Sequence, residues 1–334
     1  MTEETTLQSK VSSTQSGQSL LDFLSNRFRY QSPDIWKRLI IDRKVTVNGF
    51  PVSPSHILNS KDLVAYTVLL NEPPVDKNIK ILHDEETFLV AVKPGNLPSH
   101  ADGNFIKHTF IYILTELLKK RGVTGKLNLV HRLDRETSGL MVVSKNRQAH
   151  QKLTQQFESG TVSKEYLAIA RGIIVEDSFE VNGAIGRDSR SQISVRQKVV
   201  PNDTPFSKRS LTLFEKIKQL PASTFIRCVP KTGRTNQIRV HLDSIGHSLI
   251  GDKLYGRSDK EFLEFIRHVK SGGDPFWPGH IETSRHMLHA SRLSFKHPGK
   301  DQIFVFEAPL PQDFAEYLET QSKNLLITVI KNDF

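Results

Sequence analysis

The sequence predicts an α+β protein: a main domain with a mixed, largely antiparallel sheet, preceded by a small N-terminal module. Two observations carry this reading. Strand-like runs over 88–92, 140–143, 165–170, 210–214, 224–229 and 303–306 come in clusters and not in strict alternation with helices. Ahead of them, two short helical patterns precede Asn48-Gly49, a hairpin dipeptide set between alternating apolar residues.

Taken in order, residues 1–17 are rich in Ser, Thr, Gln and Glu and are expected to be disordered. The module spans 18–70. Leu20, Leu21, Phe23, Leu24 and Phe28 repeat at helical spacing. Ser32-Pro33-Asp34 starts a second helix with a hydroxyl cap, a proline in the first turn and an acid at the positive end. Ile35, Trp36, Leu39 and Ile40 should form its inner face, leaving Lys37, Arg38, Arg43 and Lys44 to solvent or a phosphate backbone. A polar, double-proline linker covers 71–78, the main domain 79–320 and a C-terminal tail 321–334. Within the main domain Phe110, Ile111, Leu114, Leu117 and Leu118 mark a helix stopped at Gly122. Leu153 and Phe157 mark another, ending near Gly160.

Bulk properties narrow the partners. Of 334 residues, 46 are Lys or Arg and 36 Asp or Glu, a net charge of +10 that favours a polyanion through counterion release. The one cysteine, Cys228, allows no internal disulfide and fits a reducing, cytoplasmic setting. No apolar run reaches the ~18 residues of a membrane span, and the acidic start lacks the features of a secretory signal. Neither a Gly-x-Gly-x-x-Gly nor a Gly-Lys-Ser/Thr loop is present, so no nucleotide cofactor is expected. Glu282, His286 and His289 would share a face only on a helix. Leu288 to Phe295 alternates like a strand, so no metal site is expected.

Residues 131–140, His-Arg-Leu-Asp-Arg-Glu-Thr-Ser-Gly-Leu, hold Asp134 between two arginines, just ahead of an apolar strand. Such a carboxylate stays ionised and suits nucleophilic or electrostatic work. Lys231-Thr232-Gly233-Arg234-Thr235-Asn236-Gln237-Ile238-Arg239-Val240-His241 follows a strand with a Gly turn. Thr235 is expected to cap a helix whose inner face is Ile238, Leu242 and Ile245, and the turn with the helix N-terminus would suit an anion. Five residues before Arg239, Arg234 should face elsewhere, toward a phosphate.

These blocks resemble the RluA-like family of RNA pseudouridine synthases. So do Lys164-Glu165-Tyr166-Leu167-Ala168, Lys93-Pro94, Gly251-Asp252-Lys253-Leu254-Tyr255-Gly256 and Leu288-His289-Ala290. Residues 18–70 resemble the αL RNA-binding module; a helical cap on the larger domain is the alternative. The resemblance implies an isomerase that acts on a flipped-out uridine without a cofactor. It implies Asp134 as the catalytic acid, Tyr166 as the residue that packs on the base and takes a proton from carbon 5, and Arg239 as the partner of Asp134. Arg132 would replace the flipped nucleotide in the stack. His131, Arg234, Thr235 and Gln237 would bind substrate, with Lys37, Arg38 and Arg43 on the module.

The RNA expected first is large-subunit ribosomal RNA and second transfer RNA, bound by a monomer away from membranes. The rival reading is a non-catalytic RNA-binding or ribosome-assembly factor on the same fold. Three departures from the family pattern stand out: Asn236 where the family usually has His, the order Lys93-Pro94-Gly95-Asn96, and an insertion over 257–287 holding Phe276-Trp277-Pro278. Loops of that kind often set substrate choice.

Overall fold

A computed structural model describes residues 3–28, 31–70, 72–102, 105–274, 277 and 281–332. The chain forms two compact units, residues 1–74 with 100–112, and residues 75–99 with 113–334.

The first unit holds β1 (Glu3–Lys10), α1 (Leu20–Arg27), α2 (Pro33–Ile41), β2 (Val45–Val47) and β3 (Leu63–Leu70), with strand order β1-β3-β2. The second helix starts as the sequence predicts, with the Ser32 hydroxyl accepting from the Ile35 amide and Pro33 in the first turn; in the first the Ser19 hydroxyl accepts from the Asp22 amide. Leu20, Phe23, Leu24, Trp36, Ile40, Val45 and Val64 share one core.

Four expectations change in this unit. Residues 3–10 are a strand paired along its whole length with β3. Thr5 and Ser9 are buried on its inner side, and these small polar residues hid the pattern. Ile35 lies on the outer side of α2 and is 42% exposed. Asn48 and Gly49 do form a tight turn at positive φ. Its outgoing arm leaves the sheet, and β2 pairs with β3 instead. The Asn48 carboxamide accepts from the Leu63 amide and donates to Asp62, which directs that pairing. The start of the expected linker is fixed as well, since the Glu72 carboxylate accepts from the amides of Ile106, Lys107 and His108.

Residues 100–112 run into α3 (Phe110–Lys120), which ends at Gly122 with φ +77°. The second unit is built on an 11-stranded sheet. Its strands are β4 (Lys80–Asp84), β5 (Phe88–Lys93), β6 (Asn128–Leu129), β7 (Ser138–Ser144), β8 (Ser163–Arg171), β9 (Ser178–Arg187), β10 (Gln197–Val200), β11 (Lys208–Gln219), β12 (Ser223–Pro230), β13 (Leu288–Lys296) and β14 (Ile303–Glu307). The helices are α4 (Arg147–Ser159), α5 (Gln237–Ser244), α6 (Asp259–Lys270) and α7 (Gln312–Asn332). Helix α4 ends on Gly160 at φ +74°, and part of the expected C-terminal tail continues α7.

The main path runs β10-β9-β11-β12-β8-β13-β7-β5-β4. Every pairing is antiparallel except β13 with β7, where His289 and Ala290 lie beside Ser138 and Gly139. Gly139 has φ +120°, and a Cβ there would sit 2.2 Å from the Ala290 carbonyl oxygen, so only glycine permits this approach. Ala290 also pairs with Tyr166 of β8, and Tyr166 with Cys228 of β12. One row across the sheet therefore leads from the loop preceding β7 to the tyrosine.

Candidate active site

Asp134 lies in the loop between β6 and β7, and buried groups hold that loop on several sides. The Ser99 hydroxyl donates to the Leu133 carbonyl at 2.7 Å and accepts from the Leu133 amide. The fully buried Lys93 donates to the carbonyls of Pro94, Leu97 and Arg135. Burial, with Arg285 nearby, pushes its ammonium well below the ordinary lysine range. Glu136 accepts from Lys253 Nζ at 2.7 Å and from the His286 amide at 3.0 Å. Burial opposes charge on Glu136, but Lys253 outweighs it and holds the carboxyl at about 2.

Arg239 is supplied by α5. Its NH1 donates to Asp134 Oδ2 at 3.0 Å. Its main anchor is Asp252, which takes Nε at 2.7 Å and NH2 at 2.9 Å in a two-pronged pair. Asp252 is fully buried and also accepts from the amides of Leu254 and Tyr255. Burial opposes its charge, but Arg239 drives the carboxyl far below the usual range. The guanidinium lies over the Tyr255 ring, 5.0 Å from its centre. Asn236 accepts from Arg239 NH1 at 3.1 Å and donates to the Tyr255 hydroxyl at 3.2 Å, so this departure from the family pattern holds the arginine in place.

One cleft is lined by Arg132, Asp134, Lys164, Tyr166, Arg234 and Arg239. Burial pushes the Tyr166 hydroxyl well above the ordinary phenol range, with Asp134 and Cys228 acting in the same direction. Lys164, which sequence reasoning passed over, donates to the Thr232 carbonyl. Arg132 is exposed, and Arg234 anchors to the Arg209 carbonyl at 3.0 Å while facing the same cleft. The expectation that Arg234 faces elsewhere fails because it precedes the helix, so helical angles do not apply to it.

Two residues expected to bind substrate, His131 and Gln237, also make contacts that hold the fold. His131 Nε2 accepts from the Val142 amide, and its ring stacks on Phe157 at 4.3 Å. Burial, helped by Lys164, lowers its imidazole to about 3, so it is neutral. Gln237 is buried and spends both ends of its amide on Thr232, the Arg234 amide, Leu211 and Thr212. Thr235 is exposed and does not cap α5, because Asn236 takes that position with φ +56°. Ile238 and Leu242 are buried as expected, but Ile245 is 39% exposed.

Other residues raised by the sequence have local duties. His286 bonds Thr137, His289 bonds Ser138, and Glu282 pairs with Arg171. Lys37, Arg38 and Arg43 are exposed on the first unit, and Lys44 pairs with Glu4. In the insertion α6 is capped by Ser258 and Glu261, and Asp259 accepts from Ser191 and pairs with Arg196. Trp277 stacks on His268, while Phe276 and Pro278 lie outside the described residues.

Comparison with known proteins adds the chemistry. The RNA pseudouridylate synthase profile matches residues 87–244. An uncharacterized RNA pseudouridine synthase of Bacillus subtilis is 30% identical over 314 residues, 90% of this chain and 94% of that protein. Ribosomal large subunit pseudouridine synthase D of Yersinia pestis is 30% identical over 325 residues, 95% of each chain. The structure of human RNA pseudouridylate synthase domain containing 1 superposes with a TM-score of 0.55 at 27% identity, covering 72% of this chain and 86% of that one. A non-catalytic RNA-binding factor gives way to an RNA isomerase: this chain belongs to the RluA-like family of RNA pseudouridine synthases.

Proposed function

We propose that the enzyme isomerises uridines of large-subunit ribosomal RNA, with Asp134 as the nucleophile or charge stabiliser at the sugar. The observation that carries this is Arg239 NH1 at 3.0 Å from Asp134 Oδ2, in a cleft also lined by Tyr166. The relatives named ribosomal large subunit pseudouridine synthase D support the RNA assigned here. The single cysteine and the charge of +10 suit a monomer working in the cytoplasm.

Asp134 supplies negative charge beside the anomeric carbon as the bond from C1′ to N1 breaks. Uracil then turns and bonds to C1′ through C5. The proton lost from C5 balances the one gained at N1, so the reaction is redox-neutral. Because burial keeps the Tyr166 phenol protonated, it takes the C5 proton only as it passes its own to N1, so one proton leaves the base and one returns to it. Arg132 at the cleft suits the space left in the stack when the base swings out.

The test is tritium release from carbon-5-labelled uridine in transcribed ribosomal and transfer RNA. Release from a large-subunit transcript that vanishes in Asp134→Asn is the expected result. Turnover on transfer RNA alone overturns the RNA assignment, and full turnover by Asp134→Asn overturns the role of the acid.

A further inference from the structure

We propose that the cleft between α4 and the β13–β14 turn holds the RNA strand flanking the target uridine, by its phosphates. This rests on the enzyme's action on RNA and extends its binding surface beyond the active-site cleft. The cleft has a volume of about 620 Å³ and is lined by Lys152 and Gln155 of α4, by Thr161 and Ser163, and by Lys296 and Lys300 of the turn. Asp301, the acid in its lining, pairs with Lys296 at 2.7 Å, which leaves a net positive surface.

Position ties this cleft to the chemistry. A Cβ on Gly160 would lie 3.6 Å from the Lys231 carbonyl, so the end of α4 abuts the turn whose Thr232 and Gly233 line the active-site cleft. Thr161 and Ser163 face the basic cleft, and Lys164, the next residue, faces the active-site cleft. Ser163 and Tyr166 are three strand residues apart, about 10 Å at ~3.3 Å each. That is the span of about three stacked nucleotides at ~3.4 Å per nucleotide. A strand leaving the site over the Lys231 turn would run toward Lys152, Lys296 and Lys300.

The walls are fixed before any ligand arrives. The Gln156 carboxamide accepts from the Lys296 amide and donates to the Lys296 carbonyl, both at 2.8 Å, which fastens α4 to the end of β13. His297 Nδ1 accepts from the Gly299 amide and its Nε2 donates to Glu85, which pins the turn carrying Lys300. Binding to such a surface orders little of the protein. Contacts of this kind position RNA without reading its sequence.

The experiment compares the wild type with Lys152→Ala/Lys296→Ala/Lys300→Ala on a transcript that the wild type modifies, whole and trimmed on either side of the target uridine. On whole RNA the triple variant should shallow the slope of log affinity against log salt by about 2, since each phosphate contact to a single strand contributes ~0.7. KM should rise with kcat within twofold and the melting temperature unchanged. Trimming one flank should erase the difference between the two proteins. An unchanged slope and KM on whole RNA overturn the proposal, as does a difference that survives both trimmings. Affinity is read whether or not Asp134 is the nucleophile, so failure here is distinct from failure of the assigned chemistry.

Discussion

The two aspartates that share Arg239 should separate stability from activity when each becomes asparagine. Asp252 is fully buried and takes two of the guanidinium's hydrogen bonds, while the Asp134 side chain is 28% exposed and takes one. In Asp252→Asn a buried arginine loses its principal counter-charge, and an amide N–H is set against its donors. Breaking a buried pair costs about 3–5 kcal/mol, and the remaining Asp134 contact puts this case near 3 kcal/mol. For a domain of 150–250 residues that lowers Tm by about 6–12 °C. The freed fork also shifts against Asp134, and a 1 Å displacement costs roughly 100-fold in rate. Asp134→Asn keeps the buried pair intact and should move stability by less than about 1 kcal/mol while abolishing turnover. Thermal denaturation and tritium release on both variants test this. An Asp252→Asn protein with unchanged Tm and activity within twofold would show that Asp252 does not hold the arginine.

Three further outcomes follow from the same geometry. Tyr166→Phe should lose more than about 100-fold in kcat, and the wild-type rate should show no phenolate limb between about pH 6 and 9, because burial keeps the hydroxyl protonated; a rate that climbs tenfold per pH unit there contradicts this. Burial lowers His131 to about 3 and His241, His286 and His289 to about 4, so the folded state leaves them neutral where the unfolded chain binds protons. Stability should therefore be fully present above about pH 6.5 and fall on acidification toward pH 4, by about 1–2 kcal/mol per imidazole at pH 5; chemical denaturation at equal m-values with no loss between pH 7 and 5 would refute it. Lys37→Ala/Arg38→Ala/Arg43→Ala should shallow the salt slope of RNA affinity by about 2 at ~0.7 per contact, with kcat kept, and an unchanged slope makes the first unit a bystander.

Much of the architecture could be read from the chain because apolar period and caps agree with the final contacts. Ser32-Pro33, the helix stops at Gly122 and Gly160, and the strand runs at 88, 140, 165, 210, 224, 288 and 303 were legible for that reason, while β6, β9 and β10 were not. The strand over 3–10 was hidden because its inward side carries Thr5 and Ser9. In the site, Asp134 and Arg239 could be paired through the family resemblance. The tie to Asp252 could not, since it joins a helix to a turn whose meeting is set by tertiary packing alone. His131 and Gln237 looked like ligands for RNA because they are polar and stand in the motifs. The structure shows them as partners for amides and carbonyls that burial would otherwise leave unsatisfied. The signal that could have exposed Asp252 was its place in Gly251-Asp252-Lys253-Leu254-Tyr255-Gly256, an acid inside an otherwise turn-like block.

Among the described residues β7 and β13 make the one parallel junction, and it bears on how the enzyme comes alive. The acid enters from one half of the sheet and the phenol from the other, and β13 is the strand that zips those halves together. It lies some 150 positions beyond Ser138, among the most distant partnerships in the chain, and closures of that length form late. A nascent polypeptide emerging from the ribosome without residues past 287 has no strand to bridge the halves. Competence for chemistry therefore waits on residues past 287.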